Sequence, residues 1–143
     1  MKKVVNAIIL DGGKVLVVKR KNERIHPNKW LFPGGVIEKG ESVEQTLGRE
    51  LKEEVGLRLK KIIRKISEYE YPRENKEITK GESYLVETED EKVISGNEIS
   101  NFKWVTLEEF GNLNHVEGMD EEIMKVFYEI KLKRKDYQDA WKR

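Results

Sequence analysis

Residues 34–57, GGVIEKGESVEQTLGRELKEEVGL, constrain this chain more than any other stretch. Ser42 followed three positions later by Gln45 makes a capping box, and Gly56 is a helix stop, so a helix is predicted from about Val43 to Val55. Leu47, Leu51 and Val55 recur every four residues and define its buried stripe, and Gly48 beside them predicts close approach to a sheet. Glu50, Glu53 and Glu54 fall within about 100° of arc bordering that stripe, near the helix C-terminus, where the dipole is already negative. Like charges at this spacing cost about 0.2–0.5 kcal/mol per pair, and the C-terminal placement adds a similar penalty per acid. Three explanations are open: a solvated charged face, an ion-pair network drawing on Arg49 and Lys52, or a cation that is not part of the chain.

The bulk properties narrow these options. A chain of 143 residues fits one domain, 1–143, able to bury about 70% of its unfolded surface. With 28 basic and 27 acidic residues there is no global field to draw in nucleic acid. The absence of cysteine excludes disulfides, thiolate zinc sites and a cysteine nucleophile, and fits a cytoplasmic location. Two histidines, His26 and His115, are too few for a histidine-rich metal centre. The N-terminal MKKVVNAIILDGG is basic then apolar like a signal peptide, but Asn6 interrupts the run and DGG ends it, so a strand is expected. No stretch approaches the ~18 apolar residues of a membrane span.

VVNAIIL, DGG and KVLVVKR read as strand, turn and strand, and KNERIHPNK as a polar loop. WLFPGGVI begins as a strand that Pro33-Gly34-Gly35 breaks into a turn. Beyond the helix, residues 57–71 alternate as a long strand, PRENKEITKG is a loop, GESYLVETE a continuation or partner, and NFKWVTL a further short strand. Met119, Ile123, Val126, Phe127 and Ile130 carry helical spacing, and residues 131–143 form a basic, amphipathic tail. The expected fold is α+β: a mixed sheet with a central helix and a C-terminal helix packed on it.

Oxygen ligands without His or Cys select a hard cation, Mg²⁺ or Mn²⁺ over Zn²⁺. Mg²⁺ keeps several waters and completes its shell with a few carboxylates and substrate phosphates, so the acidic cluster points towards phosphate-bearing substrates. The adjacent Gly34-Gly35 turn can expose a backbone carbonyl as a further oxygen ligand.

Gly35, five residues, Glu41, seven residues, Arg49-Glu50-Leu51, one residue, Glu53-Glu54, one residue, Gly56-Leu57 is the order along the chain. It resembles the Nudix box, GX5EX7REUXEEXGU with U a bulky aliphatic, at all specified positions, a match expected by chance on the order of once in a million such chains. WLFPGG, the strand pair before it and NEISNFKWV after it extend the likeness over most of the chain. The resemblance implies a Nudix α/β/α sandwich that hydrolyses nucleoside diphosphates linked to another moiety, such as ADP-ribose, dinucleoside polyphosphates, nucleoside triphosphates or 5′-triphosphorylated RNA. Carried over by position, Glu50, Glu53 and Glu54 would bind Mg²⁺ or Mn²⁺, with the Gly34 carbonyl an extra ligand, and Glu41 and Arg49 would brace the loop and helix. Two candidates for the catalytic base follow from the same likeness, Glu53 and, outside the box, Glu98. The metal would neutralise the pyrophosphate and acidify a bound water, and a carboxylate would take its proton.

Outside the box, Lys19 and Arg20 end a strand that should lead to the site, where they could contact substrate phosphates or nucleotide; a solvated strand end is the alternative. Trp30, Phe32 and Trp104 are read as core in preference to base-stacking platforms. His26 is read as a surface residue of a loop, and His115 is unassigned. Pro72, 15 residues after Leu57, is reminiscent of Nudix ADP-ribose pyrophosphatases, whereas the order of Tyr, Pro and Trp around it looks like the dinucleoside-polyphosphate and RNA pyrophosphohydrolase branch. A solvated helix end is favoured for the basic tail, against contact with RNA or with a second subunit in a homodimer. Two other functions are weighed: a non-catalytic nucleotide sensor, which the intact box disfavours, and an isomerase acting on isopentenyl diphosphate, whose chemistry resembles cysteine-dependent enzymes.

Overall fold

The computed structural model describes residues 2–22, 27–72, 77–89 and 92–128. His26 and the basic tail at 131–143 lie outside the described residues. The strands are β1 (Lys2–Asp11), β2 (Lys14–Arg20), β3 (Gly34–Val36), β4 (Leu59–Pro72), β5 (Ile78–Thr88) and β6 (Ile99–Val105). The helices are α1 (Val43–Val55), α2 (Leu107–Gly111) and a C-terminal helix, α3, over 119–128.

The β1–β2 hairpin closes through Leu10↔Val15 and Asp11↔Lys14, with Gly12 and Gly13 at φ 56° and 81°. Positive φ at both central positions is the turn geometry that matches strand twist, and glycine adopts it without steric cost. Past the hairpin end the two strands part. β1 takes β5 as a parallel neighbour from Lys2↔Thr79 to Ile9↔Val86, while β2 takes β6 antiparallel, giving the order β4-β5-β1-β2-β6. β3 enters the opening between β1 and β2 and pairs with β1 at Val4↔Val36 to Asn6↔Gly34.

Alternation along β1 and β2 sends side chains to two separate cores. Val5, Ala7, Ile9, Leu16 and Val18 meet Leu47, Leu51 and Val55 of α1 on one face. Ile8, Val15 and Val17 meet Phe110 of α2 and Met119, Ile123 and Val126 of α3 on the other. The result is the expected mixed sheet between helical layers. Both predicted ends of α1 are present. Ser42 and Gln45 form the reciprocal capping box, and Gly56, at φ 67°, donates its N–H to Leu51 and Lys52.

Several expectations change. Residues 34–36 form a strand, not a turn, because the segment switches partners. Leu31 exchanges both backbone bonds with Val18, and the Pro33 carbonyl then accepts from Ala7 N–H on the neighbouring strand. Proline stands at the crossing, where no N–H is needed. The glycines serve close approach, as expected, and neither has a positive φ. A Cβ on Gly34 would strike the Val5 carbonyl, and one on Gly35 would strike the Glu50 carboxylate. Gly48, in contrast, has open space where a Cβ would go, so it is not what brings α1 to the sheet. β5 begins at Ile78, inside the stretch read as a loop, and Pro72 ends β4 opposite Ile78. NFKWVTL gives up its last two residues, Thr106 capping α2 through a second capping box with Glu109.

Candidate active site

The α1 acids meet the end of β2 and the start of β3. A register shift between Lys19 and Arg20 turns the Arg20 side chain towards α1. Its Nη2 donates to the Gly34 carbonyl at 2.5 Å and to Glu54 Oε1 at 2.9 Å. Glu54 Oε2 in turn accepts from Gly34 N–H at 3.3 Å. Glu54 is only 6% exposed, and burial pushes its pKa up to about 7 against the pull of Arg20.

A second cluster sits one turn earlier. Arg49 forks onto Glu41, Nε to Oε2 at 2.8 Å and Nη2 to Oε1 at 2.9 Å, and its Nη1 reaches Glu50 at 2.7 Å. Nη2 also donates to the Val36 carbonyl, tying helix to β3. The Arg49 hydrogen bond, with one from Glu38 N–H, holds the Glu41 pKa down at about 2. Glu50 is shifted up by burial, against the opposing Arg49 charge. Glu53 keeps 60% of its side chain exposed and stands 3.6 Å from Arg49. Arg49 thus ties Glu41, in the loop before α1, to the helix and to β3.

Of the remaining candidates, Glu98 lies on an exposed turn whose carbonyl accepts from Lys21 N–H, next to Arg20. The preceding residues cap α1: Ile94 and Gly96 donate to the Val55 and Glu54 carbonyls. Gly96 is close enough that a Cβ would collide with the Glu53 carbonyl. Lys19 is not brought to the acids; its Nζ stands 5.1 Å over the Trp30 ring. Trp30 and Phe32 are buried in the second core, and Trp104 packs half-buried against the first.

Among the described residues, no group of three or more His, Asp or Glu stands ready to enclose a metal ion. The cause is visible in the ion pairs: Glu54 is turned onto Arg20 and Glu50 onto Arg49. The donor chemistry still suits a hard divalent cation. Glu50, Glu53, Glu54 and the Gly34 carbonyl offer only oxygen, and two of the acids are desolvated beyond what their guanidinium partners offset.

A cleft of about 520 Å³ opens beside this cluster, between the sheet and α3, with Arg20 and Gly35 in its wall. Asn6, Ser67, Tyr69 and Glu122 also line it, and none of them is among the site residues expected from the sequence. Glu122 carried a readable signal: it lies three residues after Met119 and four before Val126, a charged residue on the apolar stripe of α3.

An α/β/α sandwich carrying this acid-rich loop and helix beside a cleft defines a class, and comparison with known proteins agrees. Residues 1–127 match the NUDIX domain, and the chain belongs to that family. It is 49% identical over 55 residues to an ADP-ribose pyrophosphatase of Methanocaldococcus jannaschii, a match covering 37% of this chain and 31% of that protein. A nucleoside triphosphatase, NudI, of Escherichia fergusonii is 28% identical over 114 residues, covering 71% of this chain and 79% of that one. The chain thus spans less than a third of the first relative's length. Among solved structures, the Escherichia coli ORF135 protein superposes with TM-score 0.73 at 25% identity, covering 94% and 93% of the two chains. The MutT protein of Methanosarcina mazei gives TM-score 0.74 at 22% identity, covering 91% and 95%, a likeness of fold.

Proposed function

We propose that this protein is a Mg²⁺-dependent hydrolase of the pyrophosphate bond in a nucleoside diphosphate linked to another moiety. The observation that carries this is the desolvated Glu54, held with the Gly34 carbonyl by the guanidinium of Arg20, a residue of the cleft wall. In the working enzyme Glu50, Glu53, Glu54 and the Gly34 carbonyl hold the metal, Mn²⁺ being an alternative ion. When bound, the ion supplies charge neutralisation and an acidified water. The chain's own part is to fix the ligands through Arg49 and Glu41, to offer Arg20 to the substrate phosphates, and to accept the water's proton on Glu53 or Glu98. Glu53 is the more exposed of the three α1 acids, and Glu98 sits on the turn bonded to Lys21.

The relatives' names, an ADP-ribose pyrophosphatase and a nucleoside triphosphatase, favour hydrolysis over a sensor or an isomerase. The test is a panel of ADP-ribose, diadenosine polyphosphates, nucleoside triphosphates and 5′-triphosphorylated RNA incubated with Mg²⁺ or with EDTA. Mg²⁺-dependent release of phosphate-bearing products from at least one member is expected; no turnover of any would refute the proposal. Glu53→Gln and Glu98→Gln then separate the two base candidates, the true base losing at least ~10²-fold in turnover.

A further inference from the structure

The reaction described above makes no use of Glu122, although it is the buried acid of the cleft. It is 8% exposed, on α3, with Oε2 accepting from Ser83 Oγ at 3.0 Å and Oε1 accepting from Ser67 Oγ. Two hydroxyls are its hydrogen-bond partners; the Lys125 charge favours the carboxylate and Glu121 opposes it. A carboxylate taken out of water with hydroxyls alone is incompletely compensated, and each oxygen retains a lone pair for another donor. Facing a cleft, such a group is a receptor for a ligand edge that presents donors.

The cleft has a direction. Arg20 lines it from β2 and Ser67 from β4, with β3, β1 and β5 between; Ser83 of β5 lies beneath, behind the Glu122 carboxylate. Gly34 pairs with Asn6 and Asn6 with Ser83, so the Arg20 guanidinium at Gly34 lies two strand spacings from β5, where Glu122 is bonded to Ser83; that is roughly 10 Å, comparable to the distance from a nucleotide's phosphates to the far edge of its base. Glu68, Glu70, Glu117 and Glu121 also line the cleft and outnumber Lys125, which lines it with them. These acids repel a second polyphosphate, so the anionic part of a substrate belongs beside Arg20 and a neutral base beside Glu122.

Among the nucleobases, guanine alone offers two adjacent donors, N1–H and the 2-amino group, on one edge. Adenine and cytosine each set a donor beside an acceptor, and the N3–H of uracil is flanked by two acceptors. From the Glu122 carboxylate in the cleft, held by Ser67 and by the buried Ser83, we infer that the protein selects guanine nucleotides, the Glu122 carboxylate accepting from both donors of the base. This inference rests on the proposed nucleotide hydrolysis and adds the identity of the base.

The test is binding of GMP, AMP, CMP and UMP to the full chain by calorimetry, followed by Mg²⁺-dependent hydrolysis of the four triphosphates. GMP is expected to bind at least ~10-fold tighter than the others, and GTP to show the highest kcat/KM, through KM more than kcat. Glu122→Gln, nearly isosteric, should remove most of that preference. Ser67→Ala, at a less buried position, should reduce it by a smaller factor and stands in if the first variant does not fold. Tighter binding of AMP, CMP or UMP by the wild-type chain, or a guanine preference unchanged in both variants, would overturn the inference while leaving hydrolysis intact. Hydrolysis of no nucleotide, with selective GMP binding retained, would instead strike the proposed function alone.

Discussion

Arg20 Nη2 bridges Glu54 Oε1 and the Gly34 carbonyl, at 2.9 Å and 2.5 Å, and so joins β2, β3 and α1 at one point. Glu54 is buried and raised in pKa despite that contact. Removing the guanidinium leaves a desolvated acid without its counter-charge. Arg20→Met is therefore expected to destabilise the metal-free protein by about 1–3 kcal/mol, below the usual cost of breaking a buried pair because Arg20 is partly exposed. Thermal melts in EDTA and in saturating Mn²⁺ check this: the deficit should shrink with metal, which would supply the missing charge.

The same acid sets a pH dependence. Glu54 rises from 4.5 to about 7 on folding, and burial moves Glu50 and Glu122 the same way. A raised carboxyl means that the folded state holds more protons than the unfolded one across that window. Stability of the metal-free protein should thus fall as pH rises from about 4.5 to 7. Melts in chelator across this range should show the decline, and Glu54→Gln should flatten it in part. A rise in stability through the window would contradict the assignment.

Arg49 holds Glu41 through two nitrogens and Glu50 through a third. Lysine keeps the charge and loses the fork. With Glu50 holding the metal as proposed, Arg49→Lys should lower activity about 10–100-fold, the cost of losing a residue that orients a ligand. The check is the Mg²⁺ dependence of the rate, in which half-saturation should move to higher concentration.

The two box glycines should separate stability from activity. A methyl on Gly34 meets main chain at Val5, which cannot move aside, whereas one on Gly35 meets the flexible end of Glu50. Gly34→Ala should cost about 1–3 kcal/mol in denaturant unfolding. Gly35→Ala should unfold nearly as the parent does while losing at least ~10-fold in turnover, because Glu50 is displaced.

What could be read in the sequence was what short-range chemistry dictates. Ser42, Gln45 and Gly56 fix α1 by contacts within a turn, and Leu47, Leu51 and Val55 fix its inward face. Glu50, Glu53 and Glu54 follow once that helix is placed. The partner switch at Pro33 was hidden, since it depends on β1 and β2 parting, a long-range event that the residues of WLFPGGVI do not encode by themselves. The surroundings of Gly48 are hidden for the same reason: helical spacing places it beside the buried stripe, but a Cβ there meets open space. Lys19 and Arg20, adjacent in sequence, are both candidates for the substrate phosphates, but strand alternation and a register shift send one to the Trp30 ring and the other to Glu54. The far side of the cleft needed three elements, β4, β5 and α3, to meet before Glu122 had partners.

The central claim is that the carboxylates of α1 hold a divalent ion that acts on a pyrophosphate. It is tested most directly by the initial rate of nucleotide hydrolysis as a function of Mg²⁺, for the parent chain and for Glu54→Gln. The account predicts no rate in chelator, a saturable rise with Mg²⁺, and a half-saturating concentration at least ~10-fold higher in the variant. A rate that is independent of Mg²⁺, or a Mg²⁺ dependence identical in the two proteins, would contradict it.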